Sequence, residues 1–306
     1  MTAMDGFARL GDEVARAWEA RNYDGDAFSG IAESALAESG VLRAVALEDV
    51  AGWFFGTRSL PRQELRPFGQ PPIICYQGRG FFIELLVWID VPTSIHQHAF
   101  SGAFGVLRGS SFHSRYRFER AERICTEMLL GNLTLESAEL LRRGDVRRIE
   151  PGDRFIHSLL HLEPPTLSVV VRTASDRSRS PQYDYAMPGF AVDPFFKPEP
   201  DTTQLALLQS LARTEPEAFL RYARQLAANR DLWFAHKVVE LAARGGIETP
   251  AFRELLDVVA ARHARLAHVL EPVFRERERV RGILRRLADV TDRDHRTLLA
   301  LLISAP

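Results

Sequence analysis

Between Pro71 and about Arg172 the chain reads as a succession of short runs rich in Ile, Val, Phe and Tyr, broken by Gly, Pro and Asp. The runs are Ile73–Tyr76, Phe81–Asp90, Ala103–Leu107, Phe112–Phe118, Met128–Thr134, Ala138–Arg142 and Leu167–Arg172. Many β-branched and aromatic segments at this spacing, with turn residues between them, predict an antiparallel sandwich or barrel. The longest apolar run, Phe81 to Ile89, is interrupted by Glu84 and is too short to span a bilayer.

The flanks have a different period. From Asp5 to about Phe55 apolar residues recur at helical spacing, as in Phe7, Leu10, Val14 and Trp18, with breaks at Asn22–Gly25 and Gly40. Beyond the proline-rich stretch from Ser178 to Pro200, helices are predicted over Thr203–Leu211, Pro216–Asn229, Leu232–Arg244, Pro250–Val269 and Pro272–Val290. The second, fourth and fifth open with proline in the first turn, where its missing N–H costs nothing. The expected class is α+β: a helical lead-in over 1–60, a β barrel over 61–200 and a helical region over 201–306. Dimerisation, giving a homodimer, and a lid are the two roles considered for the last region.

Charge and cysteine usage exclude several classes. Lys plus Arg number 39 against 40 acidic residues, leaving no net field to hold nucleic acid or an anionic membrane. Cys75 and Cys125 are too few for a disulfide framework, and the charged, amphipathic N-terminus does not read as a signal peptide. A cytoplasmic protein is expected.

The chemistry is concentrated in histidines. His96-Gln97-His98 follows a strand and a Val91-Pro92 turn, and residues two apart on a strand share a face, so both imidazoles project together. A third histidine stands at another turn-to-strand boundary: Gly144, Pro151-Gly152, then Phe155-Ile156-His157. Three neutral imidazoles with open positions suit Fe(II), and Zn, Ni and Cu stay open as alternatives.

The order of these residues resembles the two motifs of the cupin superfamily, in which a barrel holds a metal. Its first motif is His-x-His, then Glu, then Gly; here His96-Gln97-His98 is followed by Gly102, where Glu would ligate, and by Gly109. Its second has Gly, Pro-x-Gly, His and Asn; here Gly144, Pro151-Gly152 and His157 are followed by His161 in place of Asn.

Loss of the glutamate is shared with the thiol dioxygenase branch, which includes cysteine dioxygenase. Phe82-Ile83-Glu84-Leu85-Leu86-Val87-Trp88, Ser94-Ile95-His96-Gln97-His98 and His161-Leu162-Glu163-Pro164-Pro165 are similar to segments of that branch, over residues 71–175. The resemblance implies a mononuclear non-heme iron oxygenase using dioxygen. The branch's Ser-His-Tyr strand is missing, since the corresponding segment reads Ser168-Val169-Val170-Val171-Arg172. Plain cysteine is therefore not the expected substrate.

Ser168 and Arg172 share one face of that strand, and an arginine fork can hold a carboxylate. Arg79 is a second candidate clamp; Glu84, on one face with Trp88, could receive an amine. These residues point to a small anionic or zwitterionic, amino-acid-like substrate, with a thiol as one form. His161, His113, Tyr116 and Gly102 are further candidates for supporting or catalytic roles, and strand parity allows only one of His113 and Tyr116 to face the cavity. Two other readings stay open: a non-catalytic metal or small-molecule sensor, and a zinc or nickel isomerase or lyase. The alternating charges of Arg275–Arg279 read as a solvated helix face, and His263 and His268, five apart on a helix, do not pair.

Overall fold

A computed structural model describes residues 4–64, 68–89, 93–178 and 181–305, leaving out the side chains of 265–267. The expected Val91-Pro92 turn and Asp90 lie outside the described residues.

In chain order the elements begin with helices α1 (Asp5–Glu19), α2 (Phe28–Glu38), α3 (Val41–Ala44) and α4 (Leu47–Gly56). Strands follow: β1 (Pro72–Gln77), β2 (Phe81–Trp88), β3 (Ile95–His98), β4 (Gly102–Arg108), β5 (Ser110–Cys125), β6 (Met128–Arg142), β7 (Val146–Ile149), β8 (Gly152–His161), β9 (Thr166–Thr173), β10 (Asp184–Ala186) and β11 (Phe190–Val192). Helices α5 (Asp201–Thr214), α6 (Pro216–Asn229), α7 (Leu232–Ala243), α8 (Pro250–Arg262), α9 (Ala264–Leu287) and α10 (Arg293–Ser304) complete the chain. None of the described helices is long and apolar enough to cross a membrane.

One sheet has the order β1-β2-β9-β4-β7; the other, β10-β11-β6-β5-β8-β3, is a closed barrel. The expected α+β class with a β barrel is therefore what forms. Two compact units divide the chain: Met1–Tyr116 with Leu135–Gln182 and Leu287–Ala305, and Arg117–Thr134 with Tyr183–Arg286. The cuts differ from the sequence divisions at 60 and 200, because the outer part of the β5–β6 hairpin groups with the later helices and α10 groups with the barrel.

In the first unit the five-stranded sheet is buried on both faces. Ile83, Leu85, Val87, Leu167, Val169 and Val171 meet Phe7, Leu10, Val14, Phe28 and Leu36 of the lead-in helices. The alternate residues, Leu86, Trp88, Phe104, Val106 and Val170, turn the other way and cluster with Phe155 and Leu159 of β8. A strand covered on both faces reads as a continuous apolar run, which is how Phe81–Trp88 and Leu167–Val171 appear in the sequence. Helix α10 belongs to this unit: Asp292 caps it by accepting from the His295 N–H, Arg296 donates to the His161 carbonyl, and the hydroxyls of Ser304 and Ser114 lie 2.8 Å apart.

In the second unit a separate core gathers Phe190, Phe219, Phe234, Val238, Leu255 and Phe274. Pro216 and Pro250 sit in the first turns of α6 and α8, as predicted. Pro272 does not open a helix; it lies inside α9, the long helix that replaces the expected break between Val269 and Pro272. Leu270, Val273 and Phe274 around it are all buried, and that packing outweighs the roughly 3 kcal/mol propensity cost of an interior proline. The two runs Met128–Thr134 and Ala138–Arg142 likewise form one strand, because β5 is long enough to pair with both.

Candidate metal centre

The three histidines of the two motifs converge. β3 and β8 pair antiparallel with His96 directly opposite His157, so these side chains share a face at close range. A regular ladder would then place His98 opposite Phe155, but the register shifts and His98 pairs with Gly152 instead. The irregularity falls between the two histidines of β3, and bulges are frequent beside sites. Ring centroids lie 4.6 Å apart for His96 and His98, 4.7 Å for His96 and His157, and 5.0 Å for His98 and His157. All three side chains are buried, and one ligand nitrogen from each lies within 4.8 Å of the others. Gly152 itself has φ of 76°, a conformation open to glycine and costly for other residues, which ties the Pro-Gly of the second motif to the approach of β8.

Hydrogen bonds on the far side of two rings fix which nitrogen is presented. A carbonyl only accepts, so His96 donates its Nδ1–H to the Ser94 carbonyl at 2.8 Å and keeps a lone pair on Nε2. His113 donates its Nδ1–H to Glu139 at 3.0 Å; being neutral, it accepts on Nε2 from the Nδ1–H of His157 at 3.1 Å. His157 therefore also presents Nε2 as a lone pair. Burial lowers the His96 and His113 pKa values to about 4. It pushes His98 and His157 well below the ordinary imidazole value, and neighbouring positive charge, from the other imidazoles and from Arg172 or Arg115, pushes the same way.

Neutral imidazoles with fixed lone pairs are what a metal needs. The Nε2 atoms of His98 and His157 stand 2.8 Å apart. Two imidazoles at right angles on one ion need about 3.0 Å between nitrogens, and a tetrahedral pair about 3.4 Å, for metal–nitrogen bonds of about 2.1 Å. The residues fit a divalent transition metal with further positions open, and among the described residues no carboxylate joins them.

Gly102 explains the missing carboxylate sterically. β4 lies between β7 and β9 at this point, with Gly102 opposite both Ile149 and Arg172. A Cβ there would fall 2.2 Å from the Val171 carbonyl oxygen. A side chain at this position meets the β9 backbone and requires that backbone to shift.

Around the histidines the inward face of the sheet carries Arg172, Glu84, Ser168 and Trp88 of the expected residues. Arg172 is stacked over Phe100, with its guanidinium carbon 3.5 Å from the ring centroid, and lies 3.5 Å from Glu84. Phe100 in turn packs on His98. Glu84 is buried, and a buried carboxylate needs such a partner. Farther along, Trp88 donates its indole N–H to Ser168 at 2.7 Å and stacks on His161, with centroids 4.7 Å apart and planes at 19°. His161 bonds Ser111 through Nδ1 and stands outside the three-histidine cluster, four residues along a strand that stays paired to its end. Its pKa falls to about 3, chiefly through burial.

Of His113 and Tyr116, His113 is the one that reaches the histidines; Tyr116, on the opposite face of β5, is buried opposite Ile156. Arg79 lies over the Tyr23 ring, 4.7 Å from its centroid, among the lead-in helices. Sequence reasoning missed the aromatic wall, formed by Phe68 beside His96, Phe100 beside His98, and Phe104 and Phe155 beside His157. Phe100 and Phe155 each stand two residues from a ligand on the same strand or its extension, so parity could have found them. Phe68, distant in sequence, had no such signal. Glu139 was also missed, since nothing in an amphipathic segment of β6 marks it.

No protein-family model matches the chain, and no curated protein matches it. Among solved structures it is similar to hydroquinone 1,2-dioxygenase PnpCD, solved with Cd2+ and 4-hydroxybenzonitrile, at 14% identity and a TM-score of 0.26 over 34% of this chain and 63% of that one. It is similar to oxalate oxidase at 15% identity and a TM-score of 0.24, over 42% of this chain and 56% of that one. Capsular polysaccharide assembling protein CapF from Staphylococcus aureus matches at 12% identity and a TM-score of 0.28, over 48% of this chain and 35% of that one. In each case the chain spans less than two thirds of the other protein, and likenesses this slight assign no activity. It is the chain's own geometry, a closed antiparallel barrel with His-x-His facing a third histidine on the paired strand, that has the form a cupin fold implies.

Proposed function

We propose that this chain is a metal-dependent cupin enzyme, a mononuclear iron oxygenase acting on a small anionic or zwitterionic, amino-acid-like substrate. The observation that carries the reading is the convergence of three buried, neutral imidazoles with no carboxylate among them. His96, His98 and His157 would hold the ion, leaving positions for substrate and dioxygen. A ferrous ion so held supplies electron transfer between the two reactants, which no side chain can do alone.

The chain's own residues do the rest. The Phe68, Phe100, Phe104 and Phe155 rings exclude water from the imidazoles. Arg172, beside Phe100 and His98, provides a fixed positive charge for a substrate carboxylate, and its pairing with Glu84 holds the guanidinium in place. A zwitterion matches both charges, its carboxylate facing Arg172 and its ammonium facing Glu84. Trp88, locked by Ser168 and stacked on His161, forms a rigid wall farther along the barrel.

The test is metal analysis of protein purified without added metal and after anaerobic ferrous reconstitution, followed by oxygen uptake with a panel of amino-acid thiols and related zwitterions. One equivalent of iron and substrate-dependent oxygen consumption are expected. Protein that takes up no stoichiometric metal overturns the reading at its root. Metal binding without oxygen uptake by any member of the panel transfers the barrel to a sensor, or to an isomerase or lyase.

A further inference from the structure

We infer that Glu139, acting through His113, supplies the metal centre with the negative charge that its three-histidine ligand set lacks, and that Arg147 sets how much of that charge arrives. The inference rests on the metal-binding reading above and concerns residues that do not touch the metal.

The geometry is an unbroken chain of hydrogen bonds crossing four strands. His157 on β8 donates to His113 on β5 at 3.1 Å, and His113 donates to Oε1 of Glu139 on β6 at 3.0 Å. Arg147 on β7 donates its Nε–H to the same oxygen at 2.8 Å and bonds Oε2 through a second guanidinium nitrogen. Every proton has one consistent place: Nδ1 of His157, Nδ1 of His113, none on the carboxylate. The inner end is buried, with His113 fully enclosed, whereas the Glu139 and Arg147 side chains are 37% and 36% exposed. The Arg147 bond holds the Glu139 carboxyl down at about 2, so the outer end stays ionised.

Position gives this chain its meaning. Three neutral imidazoles bring no charge to a divalent ion, and a side chain at Gly102 meets the β9 backbone. Glu84 lies against Arg172. Glu139 reaches a ligand ring through His113. A carboxylate accepting from a histidine that itself accepts from a metal ligand makes the ligand ring a stronger donor and fixes its tautomer. Arg147 opposes this by drawing the carboxylate's charge outward, which makes Glu139 and Arg147 positioning residues of opposite sign.

The opposition separates an electronic role from a structural one. Full-length protein stripped of metal is titrated with Co2+, whose visible absorption reports both affinity and ligand field. Glu139→Gln is expected to weaken Co2+ binding ten- to a hundredfold and shift the absorption band. Arg147→Gln is expected to raise affinity a few-fold, and unchanged affinity overturns the role given to Arg147. Equal losses in both variants, or no loss in Glu139→Gln, overturn the inference. Wild-type protein that binds no Co2+ overturns the metal reading instead, so the two failures are distinct. Nitrogen-15 spectra of the metal-free wild type give a second measurement that survives if Glu139→Gln fails to fold. They are expected to show His157 and His113 both protonated at Nδ1, and either ring protonated at Nε2 removes the chain.

Discussion

His157 in the barrel and His236 in the helical unit are both buried histidines among aromatic rings, yet their ring nitrogens meet different surroundings. His236 lies between Phe190 and Phe274, with centroids 4.8 and 5.9 Å away, and neither ring nitrogen has a hydrogen-bond partner among the described residues. His157 has two other imidazoles beside its Nε2 and His113 behind its Nδ1. Burial lowers the pKa of both. Burial alone therefore does not set His157 apart; the convergence of imidazole nitrogens, two of the three rings held by a hydrogen bond on the far side, does.

The largest break in this comparison comes from deleting ligands on one side. The double substitution His96→Ala, His98→Ala is expected to take metal content from one equivalent to none, whereas His236→Leu leaves it at one, both read by elemental analysis of reconstituted protein. Gly102→Ala sharpens the steric half of the argument: with its Cβ 2.2 Å from the Val171 carbonyl, it is expected to destabilise the protein by about 3 kcal/mol, measured by denaturant unfolding.

A smaller effect of opposite sign is expected at His236. Leucine there removes two buried nitrogens without partners and keeps an apolar side chain of similar size. It is expected to stabilise by about 1–2 kcal/mol in the same unfolding assay, and a loss of stability would show that His236 has a partner.

A pH-dependent test of the same residue is in the acid limb. His236 has a native pKa lowered to about 3, chiefly by burial, against about 6.5 unfolded. Between those values the unfolded state binds the proton and the native state does not, so stability falls as pH drops from about 6.5 toward 3. Metal-free His236→Leu lacks that share and is expected to show a shallower loss over this window than metal-free wild type.

Much of this was legible before any coordinates. Period-2 and period-3.6 patterns separated the barrel from its helical flanks, and parity put Glu84 with Trp88 and Ser168 with Arg172 on the inward face, because those patterns follow from local backbone geometry. Helix boundaries failed at Pro272, where buried neighbours outweigh a local breaker. Helix α10 was not expected at all, and its place beside β5 and β8 depends on distant partners such as His161 and Ser114. His-x-His and the later Pro-Gly-His picked out by spacing the three histidines that converge.

Sequence by itself thus determined the chemistry available: three imidazoles, an arginine, a carboxylate, and a glycine four residues past His98. Only the tertiary structure decided their relations. The register shift between His96 and His98, the β9 backbone that crowds a Cβ at Gly102, and the Glu139–His113–His157 chain all join strands that are far apart in sequence. Spacing fixes where a side chain points along its own strand; which strand lies opposite, and in what register, is set by packing of the whole sheet.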